Sequence, residues 1–166
     1  MEHHEWKNGT HTHEPRRETS ADKEREEQAR VRVAESFERD QQDIRLGGTA
    51  PFHPVDWVLE IDGTPRAFIE YKRRFKPKSS LGEFWVDMYK LCSLEMLTRM
   101  SGLPWWMVVE FDDGTLVHCS ERSRVYPTRY LRMEKLPMGA IGEDEFSELG
   151  SEEYYERVRR SLCTSK

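Results

Sequence analysis

Apolar positions fall into distinct periodic patterns along the chain. After a polar beginning, Ala29, Val33 and Phe37 repeat every four residues in a run without Gly or Pro, which predicts a helix turning one face to a core. Ser20 stands where an N-cap is expected, and the helix is predicted to continue to about Asp40. Residues Asp43 to Pro51 open with one apolar alternation and then break, as a short strand followed by a flexible approach would. Trp57 to Ile61 and Arg66 to Tyr71 are rich in β-branched and aromatic residues and flank Asp62-Gly63-Thr64-Pro65. They predict two strands joined by a tight turn.

A second long helix is expected from about Gly82 to Met100. Phe84, Met88, Leu91, Cys92 and Glu95 lie near one stripe of it, and Trp85, Tyr89 and Met96 widen the buried arc. Trp105 to Phe111 reads as a mostly buried strand, with Leu116 to Cys119 as its hairpin partner across Asp112-Asp113-Gly114-Thr115. Residues 139–150 are Gly-rich and acidic, which predicts a linker. From Ser151 onward Tyr154, Tyr155, Val158 and Leu162 recur at helical spacing, so a terminal helix is expected, docked on the body or offered to a partner protein.

Composition narrows the picture. The chain has 166 residues, 36% hydrophobic and 34% charged, with a mean hydropathy of −0.86, which allows one domain with a modest core. The expected division is a disordered tail over 1–20, a domain over 21–138, and the acidic linker and helix over 139–166. His3, His4, His11 and His13 sit in the tail among Gly, Asn, Thr and Pro without any apolar period. No apolar run approaches about eighteen residues and no leader-like start is present, so the expectation is a soluble, cytoplasmic protein with no membrane partner. Cys92, Cys119 and Cys163 are too scattered for a zinc or disulfide framework, and the first two are expected as buried thiols. The net charge of −5 argues against coating nucleic acid by bulk attraction. Arg66 to Lys78 nevertheless holds six bases against one acid, whereas Glu143 to Glu156 holds seven acids and no base.

The chemistry concentrates in the first hairpin. Glu70 and Lys72 are two apart on one strand, so their side chains leave the same face. Asp56 joins them only if the register allows, because a one-residue slip reverses its face. An odd-numbered loop achieves this, as does a two-residue loop with one bulge; Asp62-Gly63 suits a three-residue loop closed by Gly63 in the left-handed region. Two carboxylates on adjacent strands make an oxygen site for a hard cation, with Mg²⁺ expected and Mn²⁺ as its substitute. Lys72 beside them is suited to hold or help deprotonate a water and to offset phosphate charge.

At Asp56, thirteen intervening residues and then Glu70-Tyr71-Lys72, the chain resembles the PD-(D/E)xK nuclease superfamily, and in particular its compact phage-type members. Pro54 lies one position earlier than the family name would put it. The resemblance spans about residues 24 to 119 and implies an α/β (α+β), restriction-endonuclease-like core. That core is a central mixed β-sheet flanked by helices, with a helix, a three-stranded meander carrying the motif, a second helix and a further strand. It further implies Mg²⁺-dependent phosphodiester hydrolysis with Asp56, Glu70 and Lys72 catalytic. Asp56, Glu70 and the Tyr71 backbone carbonyl would be ligands, joined by a first-helix glutamate, Glu26 or alternatively Glu35. The superfamily's second helix often carries a Gln or Lys reaching over the site, and Lys90 is the residue at that place.

Arg73, Arg74, Lys76 and Lys78 form a basic run after the motif and are the expected nucleic-acid contacts, with DNA as the favoured partner. Arg122, Arg124, Arg129 and Arg132, interleaved with Tyr126 and Tyr130, form a second such stretch. His118 on a strand reads as an ordinary half-buried residue. Two other classes fit the same pattern: a nucleic-acid-binding module that does not cut, and a small inhibitor acting through its acidic carboxyl end. A homodimer would suit cutting of both strands of a duplex.

Overall fold

In the computed structural model, residues 6–7, 10–11, 19–37, 43–49, 53–121, 125–130 and 136–163 are described. Within the amino-terminal segment, β1 (Trp6–Lys7) and β2 (Thr10–His11) pair antiparallel, where composition had suggested no regular structure. His3, His4 and His13 lie outside the described residues.

Helix α1 (Ser20–Glu35) is capped one residue earlier than expected. The Thr19 side chain accepts from the Asp22 N–H and the Asp22 carboxylate accepts from the Thr19 N–H at 3.0 Å, a reciprocal box that satisfies two otherwise unpaired donors. Ala29, Val33 and Phe37 are buried, as their spacing predicts. The helix ends at Glu35 rather than near residue 40, and 38–42 lie outside the described residues.

The hairpin forms from β4 (Trp57–Ile61) and β5 (Thr64–Arg73), preceded by β3 (Ile44–Gly48). Asp62 (φ 51°) and Gly63 (φ 75°) both occupy the left-handed region, and Ile61 pairs directly with Thr64. This is a two-residue turn of the primed kind, not the three-residue loop. The extra residue sits inside the ladder instead: Leu59 faces Ala67 while Glu60 faces Pro65, leaving Arg66 as the bulge. Pro65 has no N–H to give, so the ladder breaks where it loses least. The consequence for parity is the same, because Trp57 faces Ile69 and its predecessor Asp56 therefore comes alongside Glu70.

β5 next pairs in parallel with β7 (Trp105–Phe111), which requires a crossover. Helix α2 (Met88–Ser101) supplies it, capped by Asp87 and closed by Gly102 at φ 76°. β8 (Gly114–Cys119) and β11 (Ser147–Glu148) complete a six-stranded mixed sheet in the order β11-β8-β7-β5-β4-β3. One face, with Trp57, Ile69, Trp106 and Val108, packs on α1 and on α3 (Glu152–Cys163). The other face, with Trp105, Met107 and Val109, packs on α2 and on a small sheet of β6 (Phe84–Asp87), β10 (Pro137–Ile141) and β9 (Thr128–Tyr130).

Several expectations are corrected. Residues 84–87 are a strand, because they pair with Met138 to Ile141, a partner that local periodicity cannot announce. Residues 139–150 are built into two sheets rather than forming a linker. At Gly139 a Cβ would come within 2.2 Å of the Leu91 side chain, so the helix approaches the strand through that gap. The buried face of α2 is set by Leu91 and Leu94. Tyr89 and Met96 are exposed, at 84% and 61%, and Cys92 is exposed as well. Among the described residues no helix is long and apolar enough to cross a membrane.

Candidate active site

Lys72 and Lys90 converge on one buried carboxylate. Glu70 is 1% exposed; Lys72 Nζ lies 2.6 Å from its Oε1 and Lys90 Nζ lies 3.0 Å from its Oε2. A carboxylate removed from water is strongly disfavoured unless paired, and stripping one partner from such a group typically costs about 3–5 kcal/mol. Lys90 reaches the site because Asp87 fixes the start of α2, accepting from the Tyr89 N–H at 2.8 Å and the Lys90 N–H at 3.4 Å. Its ammonium also donates to the Pro54 carbonyl at 2.7 Å.

Asp56 stands just before β4, where β5 runs on without a neighbour on that side. The Tyr71 N–H, which a longer β4 would have engaged, donates instead to Asp56 Oδ2 at 2.8 Å. Thr49 holds the approach to Asp56 through its N–H, 3.1 Å from the Asp56 carbonyl, and through its hydroxyl on the Val55 carbonyl. In a strand, one residue's N–H and C=O leave the same edge. The Tyr71 carbonyl therefore faces the same vacant edge as Asp56.

A cleft of about 240 Å³ opens here, lined by Asp56, Tyr71 and Lys72 and, from α1, by Asp22, Arg25 and Glu26. Arg73 and Phe75 complete its wall. Glu26 accepts from the Trp57 indole N–H at 3.0 Å. Glu35 is exposed and does not line the cleft. Among the described residues, no three of His, Cys, Asp and Glu converge as a metal-binding group. Asp56 and Tyr71 line the cleft, whereas Glu70, buried and paired with Lys72 and Lys90, is not among its lining residues. The Asp56 and Glu70 carboxylates and the Tyr71 carbonyl are all oxygen donors, the kind a hard divalent cation takes together with water or phosphate.

On the opposite face Tyr71 is tightly held. Its ring stacks on Trp57 at 5.3 Å, and its hydroxyl donates to Glu110. Glu110 also accepts from Arg32 at 2.9 Å. Burial, followed by the Glu110 bond and charge, pushes the phenol well above the usual tyrosine range. Glu110 is absent from the sequence-derived candidates. A lone acid within Trp105 to Phe111 was the available signal.

The basic run is largely engaged within the fold. Arg73 pairs with Asp112 at 2.6 Å and donates to the Glu110 carbonyl at 3.1 Å. Arg74 lies 4.9 Å from the Phe84 ring centroid, and burial lowers its pKa. Lys78 pairs with Glu148 at 2.7 Å. Lys76 is exposed. In the second stretch Arg129 pairs with Glu83 at 2.7 Å, while Arg122, Arg124 and Arg132 lie outside the described residues.

His118 is fully buried rather than half-buried. Its Nε2 lies 2.9 Å from the Tyr126 hydroxyl and its Nδ1 lies 3.2 Å from the Glu145 carbonyl, so both ring nitrogens have structural partners. A second cleft near Cys119 and Arg157 offers no nucleophile, since burial pushes the Cys119 thiol far up. Arg157 there is held by Glu153 and the Asp144 carbonyl.

Residues 12–133 match a family described as "Phage putative PDDEXK endonuclease". Among solved structures, the chain resembles Archaeoglobus fulgidus Hjc, a Holliday junction resolvase from an archaeal hyperthermophile, with a TM-score of 0.50 and 17% identity. That likeness covers 78% of this chain and 93% of Hjc and shows a shared fold. No curated protein matches the sequence.

Proposed function

We propose that this chain, which belongs to the phage PDDEXK endonuclease family, hydrolyses phosphodiester bonds in DNA with Asp56, Glu70 and Lys72 as its catalytic residues. The observation that carries this reading is a buried glutamate paired with two lysines beside a cleft that Asp56 and Lys72 line. A structural ion pair needs one cation. Here Asp56 and Glu70 stand against Lys72 and Lys90, a formally neutral set that a divalent cation would turn into an attractor for phosphate.

Asp56, Glu70 and the Tyr71 carbonyl would hold that cation, with Glu26 at the margin and Mg²⁺ or Mn²⁺ as the fitting ions. When bound, such an ion stabilises charge on the phosphate and makes a water a nucleophile at neutral pH. Lys72 reaches the cleft, a position from which its ammonium orients the attacking water and offsets phosphate charge. Lys90 acts from behind, holding Glu70 and the Pro54 carbonyl that precedes Asp56. With Arg73, Arg74 and Lys78 engaged inside the protein, Lys76 and Arg25 are the cations we assign to backbone contact. The functional unit in this reading extends from α1 to α3, since Tyr154 and Val158 bury α3 in the core. A homodimer remains part of the proposal for duplex or branched substrates.

The test is a cleavage assay on labelled single-stranded, duplex and branched DNA, and on RNA, with Mg²⁺, Mn²⁺ or EDTA. Cleavage of DNA with a divalent ion and none in EDTA is expected. Binding without cleavage under every ion would favour the non-cutting module instead.

A further inference from the structure

We propose that the cleft beside Asp56 and Lys72 takes an unpaired nucleobase stacked on Phe75, so that the preferred substrate carries an unpaired or terminal nucleotide next to the bond that is cut. This rests on the nuclease reading for the position of the phosphate, but the base site itself stands on separate observations.

Phe75 is 58% exposed, a large apolar ring left in a cleft whose other lining residues are polar or charged. Core packing does not account for it. Two guanidinium groups lie against it: the Cζ of Arg73 lies 4.6 Å from the ring centroid and that of Arg25 lies 5.6 Å away. They are held differently. Arg73 is anchored by Asp112 at 2.6 Å and by the Glu110 carbonyl at 3.1 Å, which fixes that guanidinium in place. Arg25, 45% exposed, has a long 3.5 Å contact with Asp22 and is the looser of the two.

An aromatic ring beside arginines is the arrangement that captures bases without regard to sequence, because every base has a π-face and guanidinium planes stack on it too. A base inside a continuous duplex has both faces covered by its neighbours. Only an unpaired, splayed or terminal base can offer a face to Phe75. The cleft, at about 240 Å³, is smaller than the usual small-molecule pocket and has room for one base. Since Asp56 and Lys72 line the same cleft, the phosphate attached to that base lies within their reach. Arg25 then moves from the ring to the base or to its backbone.

The experiment measures binding of the full chain, in EDTA, to two fluorescein-labelled DNAs that differ only in one unpaired central nucleotide. The parent is expected to prefer the DNA with the unpaired nucleotide by about tenfold or more, as base stacking on an aromatic implies. Phe75→Ala should erase that ratio and Phe75→Trp should keep it; Tyr89→Ala, at an exposed tyrosine that does not line the cleft, serves as the control. Thermal unfolding of each variant checks folding. A parent without the preference, or a Phe75→Ala protein that retains it, overturns the proposal. The nuclease reading fails separately, through loss of metal-dependent cleavage on every substrate. A protein that never cuts but shows a Phe75-dependent preference would keep the base site and discard the nuclease.

Discussion

Glu70 and Glu110 are carboxylates on neighbouring strands of one sheet, each met by two donors, yet their surroundings differ in kind. Glu70, on the α2 face, is 1% exposed and faces two lysines, one of which lines the cleft. Glu110, on the α1 face, is met by an arginine from α1 and by the neutral hydroxyl of Tyr71. An ammonium is a compact point charge on a flexible stem, whereas guanidinium and phenol bind in fixed directions. The partners of Glu70 can yield to another cation without the sheet coming apart. Those of Glu110 hold Tyr71, and with it the strand edge that carries Asp56. One carboxylate is read here as reactive and the other as scaffold.

The widest separation between them should appear on isosteric amide substitution. Glu70→Gln is expected to reduce DNA cleavage to background while DNA affinity in EDTA stays at or slightly above the parent, because one negative charge near the phosphate is removed. Cleavage persisting near the parent rate would make Glu70 part of the scaffold too. Next in size, Lys72→Ala should lower the cleavage rate by about 10²–10⁴, the range for a group managing proton transfer, with metal affinity retained; a parallel loss of metal binding would assign Lys72 to the ligand set instead.

Lys90→Met should lower cleavage by about 10–100-fold, as expected for a residue that orients a ligand from outside, and should lower the melting temperature because Glu70 keeps only Lys72. A variant that melts earlier but cuts at the parent rate would reduce Lys90 to a structural tie. The smallest effect on cleavage belongs to the other face. Glu110→Gln is expected to cost about 1–3 kcal/mol of stability while changing the cleavage rate only slightly.

Alkaline pH sharpens the same contrast. The Tyr71 phenol titrates higher in the folded protein than its ordinary value of 10.0, chiefly through burial. Its contribution to stability is therefore complete below about pH 10 and is lost as pH rises through the folded value. Tyr154, also raised by burial, acts in the same window. Denaturant titrations between pH 8 and 11 should show stability falling at the upper end, less steeply in Tyr71→Phe. An identical slope in that variant would detach Tyr71 from the pH response.

Much of the site was legible because strand alternation and spacing are local properties. One residue, Tyr71, separates Glu70 from Lys72, and the parity of the hairpin carries Asp56 to their side, although the bulge at Arg66 replaced the expected loop. What sequence could not supply was the identity of distant partners. The basic run after Lys72 was visible as charge, but Asp112 and Glu148, which engage Arg73 and Lys78, lie 39 and 70 residues away from them. For the same reason Phe84 to Asp87 read as helix until β10 arrived to pair with it. Tyr89 and Met96 fit an apolar arc that Leu91 and Leu94 in fact define. In the sequence Phe75 is one aromatic within a basic run, and its exposure beside Arg25 depends on α1 packing near the end of β5.

The most direct test of the central claim is Mn²⁺ binding followed by calorimetry on the parent, Asp56→Asn, Glu70→Gln and Glu110→Gln proteins, without DNA. Asp56→Asn and Glu70→Gln should each bind Mn²⁺ far more weakly than the parent, and Glu110→Gln should match it. Parent-like binding by Glu70→Gln, or an equal loss in Glu110→Gln, would contradict the assignment of the metal to Asp56 and Glu70.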